Sequence, residues 1–138
     1  MTRDSMRKAL SRAARAMAVA APLVWAATQA SAQDAKHGEA LFTECRACHA
    51  MEPGINNVGP TLAGVIGRKA AALDDFRYSP AMKRSGITWD AKTLDAFIAD
   101  PQKLVPATRM PYSGLVDAKD RADLIAFITR AGGAAAPR

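Results

Sequence analysis

The chain has 138 residues, a formal net charge of +6 from 19 basic and 13 acidic residues, and 49% hydrophobic but only 6% aromatic content. That length holds one domain, and its two cysteines exclude a scaffold stapled by several disulfides. Residues 1–32 hold five of the basic and one of the acidic residues, leaving 14 against 12 in the remainder, so the charge balance argues against a nucleic-acid partner.

Residues 1–32 read as a cleaved signal peptide. Arg3, Arg7, Lys8, Arg12 and Arg15 form a positive start, residues 16–27 are apolar, and Ala30-Ser31-Ala32 is a small-residue cleavage site. The apolar run contains Pro22 and falls short of the ~20 residues that span a bilayer. An uncleaved membrane anchor is the alternative. Cleavage after Ala32 leaves a domain of residues 33–138. Export places that domain in the periplasm.

A first helix is expected over residues 34–46, with Ala40, Leu41 and Cys45 spaced for one face. It runs into Cys45-Arg46-Ala47-Cys48-His49. Two thiols three residues apart, followed at once by histidine, are the signature of covalent haem attachment. Each thiol adds to one vinyl group, and His49 is delivered beneath the iron as an axial ligand. The alternatives for a bare CxxC are a redox dithiol, which wants a βαβ pattern, and a zinc site, which wants two more soft ligands. No βαβ pattern is visible, and only His37 is spare for zinc.

Residues 52–68 are broken by Pro53-Gly54, Asn56-Asn57, Gly59-Pro60, Gly64 and Gly67 and read as turns. Ser79 to Gly86 suggests a short helix. A second main helix is expected over residues 91–99, with Leu94, Phe97 and Ile98 on one face, Asp90 as cap and Pro101 as stop. Pro101 itself can open a short helix capped by Asp100. Pro106 and Pro111 frame an extended loop. The last helix covers residues 118–131, with a capping box at Asp117 and Asp120, an apolar stripe of Leu124, Phe127, Ile128 and Ala131, and Gly132-Gly133 as its end. No strand alternation is visible, so the fold class is all-α. Large apolar side chains are scarce and much of the apolar content is alanine. A buried haem would supply the missing centre, and the apoprotein is expected to be largely unfolded.

The face of the iron opposite His49 needs a second ligand. Met51 lies too close to His49 to reach round a porphyrin, and Met82 reads as packing within its short helix. Met110 sits in the proline-framed loop, whose stiffness suits holding a weak thioether. His37 is the rival, although it shares the helix that carries the attachment site.

Five blocks in order, GEALFTECRACH, NVGPTLAGVIGRKA, FRYSPAMKRSGITWD, LDAFIADPQKLVPATRMPYSGL and RADLIAFI, resemble class I cytochrome c of the bacterial and mitochondrial monohaem kind. The resemblance covers residues 38–131. It implies a small all-α wrap of three main helices and short ones around one haem c, attached through Cys45 and Cys48. First and last helices would cross through Gly38 and Phe42 against Leu124 and Phe127. The resemblance favours Met110 as the second ligand. By position, Pro60 would accept the His49 N–H, while Arg68, Tyr78 and Trp89 would hold the haem propionates. Tyr112 would stand at the exposed haem edge.

Two positions depart from the pattern. Phe97 replaces a tyrosine whose hydroxyl touches the methionine sulfur. Arg109 replaces a lysine that can displace methionine at high pH, so any alkaline transition should use another ligand or appear at higher pH. The basic ring of mitochondrial relatives is thin, with Lys36, Lys69, Lys83, Lys103, Arg46 and Arg109 as a modest version.

The implied function is one-electron transport rather than catalysis. The implied donor is a quinol–cytochrome c oxidoreductase, and the acceptor a terminal oxidase, a reductase or a photosynthetic reaction centre. Docking would be transient and the carrier a monomer. The alternative is the haem c electron-acceptor subunit of a periplasmic dehydrogenase complex. A peroxidase would need an open iron and a distal acid–base residue, and a ligand sensor would bind carbon monoxide rapidly.

Overall fold

A computed structural model describes residues 33–133. The signal-peptide reading of residues 1–32 and the tail beyond residue 133 lie outside the described residues. Five helices follow in order: α1 (Ala35–Arg46), α2 (Pro80–Arg84), α3 (Ala91–Ala99), α4 (Pro101–Leu104) and α5 (Ala118–Gly132). Among the described residues, extended pairing is limited to two isolated bridges, His49 with Asn56 and Lys69 with Thr88. The fold is all-α, and no described helix is long and apolar enough to cross a membrane.

Local chemistry starts each helix. The Asp34 carboxylate accepts the backbone N–H groups of Lys36 and His37 and opens α1. Ser79 caps α2 and Asp100 caps α4, and each of these short helices begins with proline, where a missing N–H costs nothing. At α3 the Asp90 carboxylate accepts the Thr93 N–H at 2.7 Å, and the Thr93 hydroxyl accepts the Asp90 N–H at 2.8 Å. The reciprocal box is thus here, not at α5 as the sequence suggested. At α5 Asp117 accepts the Asp120 N–H, but the Asp120 carboxylate lies 3.8 Å from the His37 ring instead of turning back to the cap.

The helices meet where α1 crosses α5. A Cβ on Gly38 would overlap the Asp123 carbonyl, so only glycine allows this approach. One turn on, Phe42 packs on Phe127 with ring centroids 5.2 Å apart. The Asp123 side chain, 1% exposed, lies in the same crossing. It accepts the Asp34 N–H at 2.8 Å, faces His37 Nδ1 at 3.0 Å and takes the Lys119 ammonium at 2.6 Å. Those partners hold its carboxyl well below the usual carboxylate range, with Lys119 the main cause and His37 next. His37, the rival iron ligand, is therefore engaged at the helix crossing.

The core is Phe42, Val65, Met82, Trp89, Leu94, Phe97, Ile98, Val105, Leu124, Ile125, Phe127 and Ile128. Trp89 and Phe97 pack with their rings tilted, centroids 5.1 Å apart. Arg121 fastens α5 to α3 through Asp95 at 2.7 Å and also donates to the Leu115 and Val116 carbonyls.

Gly38→Ala should destabilise the protein by about 1–3 kcal/mol, the usual range for overpacking, as read by denaturant unfolding. The Asp123 carboxyl is depressed in the folded state, so its contribution is complete above the unfolded carboxylate value of about 4 and lost as pH falls below it. Asp123→Asn should lower the melting temperature at pH 7 and flatten its fall between about pH 4 and pH 2. An unchanged acid slope would assign that slope to other carboxylates.

Candidate haem site

The Cys45–His49 segment continues the last turn of α1. The Cys48 and His49 N–H groups both donate to the Cys45 carbonyl, at 3.0 and 2.9 Å. This winding sets two thiols and an imidazole on the wall of one cavity of about 390 Å³, within the roughly 300–1,000 Å³ of typical cofactor sites. Both thiols are free. Burial pushes the Cys45 thiol up, and the neighbouring Glu44 adds to this. A redox dithiol needs the opposite shift. Among the described residues no three His, Cys, Asp or Glu side chains are grouped to hold a metal ion, so a zinc site lacks its ligand set.

His49 is set by its backbone surroundings. Its Nδ1 lies 2.7 Å from the Pro60 carbonyl. A carbonyl can only accept, so Nδ1 carries the proton and the Nε2 lone pair is left for a ligand. Burial lowers the ring's pKa; the Pro60 hydrogen bond opposes this, and the Arg68 charge adds to it. The ring is thus kept neutral, the form that binds metal. Gly59 lies against the ring so closely that a Cβ there would overlap it. The sequence reading marked Gly59 only as a turn residue. The Asn56 side chain accepts the Thr61 N–H at 3.0 Å and the Gly59 N–H donates to the Cys48 carbonyl at 2.8 Å, closing the loop that presents Pro60.

All nine sequence-predicted site residues line this cavity: Cys45, Cys48, His49, Pro60, Arg68, Tyr78, Trp89, Met110 and Tyr112. His37 and Met51 do not. Met82, read as packing, is buried and also on the wall, so two thioethers face the same space. Arg68 donates to the Thr61 carbonyl at 2.7 Å and the Ala63 carbonyl at 2.9 Å, which orients its guanidinium. Trp89 is 8% exposed and lies on the cavity wall with its indole N–H as a donor. A donor in that position suits an acceptor on a bound group. Burial raises the Tyr78 phenol, which the Arg68 charge opposes. Tyr112 is raised by burial too, with Cys45 and Glu44 adding to the effect. The donor set and the apolar remainder of the wall (Leu94, Phe97, Ile98, Leu124 and Ile128) fit a haem.

Sequence reasoning missed several contributors. Gln102 of α4 accepts the Ala107 N–H at 3.2 Å and donates to the Thr108 carbonyl at 3.0 Å, holding the loop before Met110. Ala107 between them has φ of 65°, a left-handed conformation that alanine rarely adopts. Of the six cations proposed as a ring, Arg109 alone lines the cavity. Arg77 joins it, and Glu44 puts a carboxylate on the same wall.

The sequence profile of the cytochrome c family matches residues 35–131. Cytochrome c2 of Rhodomicrobium vannielii is 45% identical over 111 residues, covering 80% of this chain and 89% of that protein. Cytochrome c of Tetrahymena pyriformis is 51% identical over 96 residues, covering 69% and 86% respectively. Among solved structures, cytochrome cH from Methylobacterium extorquens aligns with a TM-score of 0.67 and 46% identity, over 70% of this chain and 98% of that one. A thiol pair and a neutral histidine on one apolar cavity, in a helical wrap shared with these proteins, lead to one conclusion: the chain belongs to the cytochrome c family, electron carriers rather than enzymes, with one covalently bound haem c.

Proposed function

We propose that this chain is a periplasmic shuttle that carries single electrons on a haem ligated by His49 and Met110, with Cys45 and Cys48 as the attachment thiols. The observation that carries this reading is the convergence of His49, Met110 and both thiols on one cavity. Bound there, haem iron would cycle between Fe(III) and Fe(II) and so accept and release one electron.

The chain's own residues define what that cycle would feel. Pro60 fixes the His49 ring and raises its basicity through the Nδ1 hydrogen bond. Met110 is half-buried in a loop held by Gln102 before it and Arg121 after it. Phe97, buried against Trp89, has no hydroxyl to offer a sulfur, so the Met110 thioether keeps its lone pairs for iron. A thioether is neutral and soft, and paired with histidine it favours the ferrous state and a raised potential. Arg68, Tyr78 and Trp89 would take the propionates, whose charge is costly to bury without such partners.

Periplasmic placement rests on the signal-peptide reading of residues 1–32 and on the exported location of haem attachment. A quinol–cytochrome c oxidoreductase would donate, and a terminal oxidase, reductase or photosynthetic reaction centre would accept. Brief docking would use the rim where Tyr112 and the 74%-exposed Val58 supply apolar contact and Arg77 and Arg109 supply charge.

In holoprotein, Met110→Ala should abolish the red-edge charge-transfer band of the oxidised spectrum and lower the reduction potential, while Met82→Ala should keep the band. A band that survived in Met110→Ala would overturn the ligand assignment. Gly59→Ala should cost about 1–3 kcal/mol through overpacking against the His49 ring, measured by chemical unfolding, and should shift the Soret maximum.

A further inference from the structure

Residues 33–138 carry 14 basic and 12 acidic residues, so net charge gives the domain little long-range pull on a partner. Steering must come from how charge is spread around the cavity mouth. Five residues of the cavity wall are also exposed and form that mouth: Glu44, Val58, Arg77, Arg109 and Pro111. Two of them are cations and one is an anion.

The two signs occupy different parts of the mouth. Arg109 Nη2 lies 2.8 Å from the Tyr78 carbonyl, and Arg77 is the residue next to Tyr78, so the positive charge gathers on the Tyr78 side. Glu44 lies in the last turn of α1, directly before Cys45. The Tyr112 phenol is pushed up by burial and then by Cys45 and Glu44, which puts the carboxylate beside Tyr112 and the attachment thiol. Among the described residues neither the Glu44 carboxylate nor the Arg77 guanidinium makes an ion pair, so neither charge is neutralised within the chain.

We propose that this mouth is a docking surface of mixed sign: its partner is a protein face that sets a basic side chain against Glu44 and acidic side chains against Arg77 and Arg109, and a uniformly acidic face is turned away by Glu44. The proposal rests on the reading of the chain as an electron shuttle. Rim charges act mainly on encounter and on the rejection of wrong partners, because a like-charge contact is costly. Glu44 is therefore the specificity residue of the surface. Val58 and Pro111 supply the apolar contact that forms once the charges have met. Because the two signs lie apart, they also fix how the partner is rotated about the mouth.

The test uses holoprotein on gold electrodes coated with a carboxylate-terminated monolayer or with a mixed carboxylate and ammonium monolayer. Binding is read by voltammetry at about 10 mM ionic strength, where screening reaches ~30 Å. The parent should bind the mixed surface more tightly than the purely acidic one. Glu44→Gln should bind the acidic surface about fivefold more tightly than the parent does, the order set by one charge contact in water, and Glu44→Lys should bind it more tightly still. Glu39→Gln removes an exposed carboxylate of α1 that lies outside the cavity, and should stay within about twofold of the parent. The gain in Glu44→Gln should vanish at about 1 M salt, where screening falls to ~3 Å. A parent that prefers the purely acidic surface, a Glu44→Gln variant that binds it as the parent does, an equal gain in Glu39→Gln, or a gain that survives high salt would overturn the mixed-sign surface. A parent that binds either monolayer but gives no reversible one-electron wave would instead overturn the shuttle reading beneath it.

Discussion

The contact of α1 with α5 at Gly38 is the constraint on which the remaining geometry depends. The absence of a Cβ brings the Gly38 backbone against the Asp123 carbonyl, and the buried Asp123 carboxylate gathers Asp34, His37 and Lys119 around the same point. This crossing sets where the C-terminal end of α1 lies, and that end carries Cys45, Cys48 and His49. It also turns Leu124 and Ile128 of α5 toward the same cavity. Displacing the crossing would move the attachment thiols and one apolar wall together.

The core and the site are largely one set of side chains. Val65, Met82, Trp89, Leu94, Phe97, Ile98, Leu124 and Ile128 belong to both. A small domain with few large apolar residues buries too little surface to be richly stable by itself. A planar apolar cofactor packed among these side chains would complete their contacts, which links stability to haem attachment. Phe97, for example, packs its ring against Trp89 in the core and also lines the cavity.

Two backbone loops carry His49 and Met110, the proposed ligands, and each is held by side chains reaching back to main chain. On the histidine side, Asn56, Thr61 and Arg68 bond backbone groups, so that the Pro60 carbonyl meets His49 Nδ1. On the methionine side, Gln102, Arg109 and Arg121 do the same for residues 105–116. Loops tied in this way would hold their side chains in place with little reorganisation, as a one-electron carrier requires.

The amino-acid sequence by itself determined the local features: five helix starts at Asp34, Ser79, Asp90, Asp100 and Asp117 and the haem-attachment motif, whereas Pro60, Arg68, Tyr78, Trp89 and Tyr112 were implied by the family resemblance and line the same cavity. Caps, proline stops and a CxxCH run act over a few residues, so their chemistry is legible without a fold. Tertiary structure decided what depended on distant partners. Asp120 turned to His37 instead of completing a capping box, because α1 lies beside α5. His37 was committed to a carboxylate 86 residues away. Met82 joined Met110 on the cavity wall, Gly59 proved to be the floor beneath an imidazole, and Arg109 found a carbonyl 31 residues back. Periodicity and spacing carry no information about such pairs, since each arises only when separate segments are packed against each other.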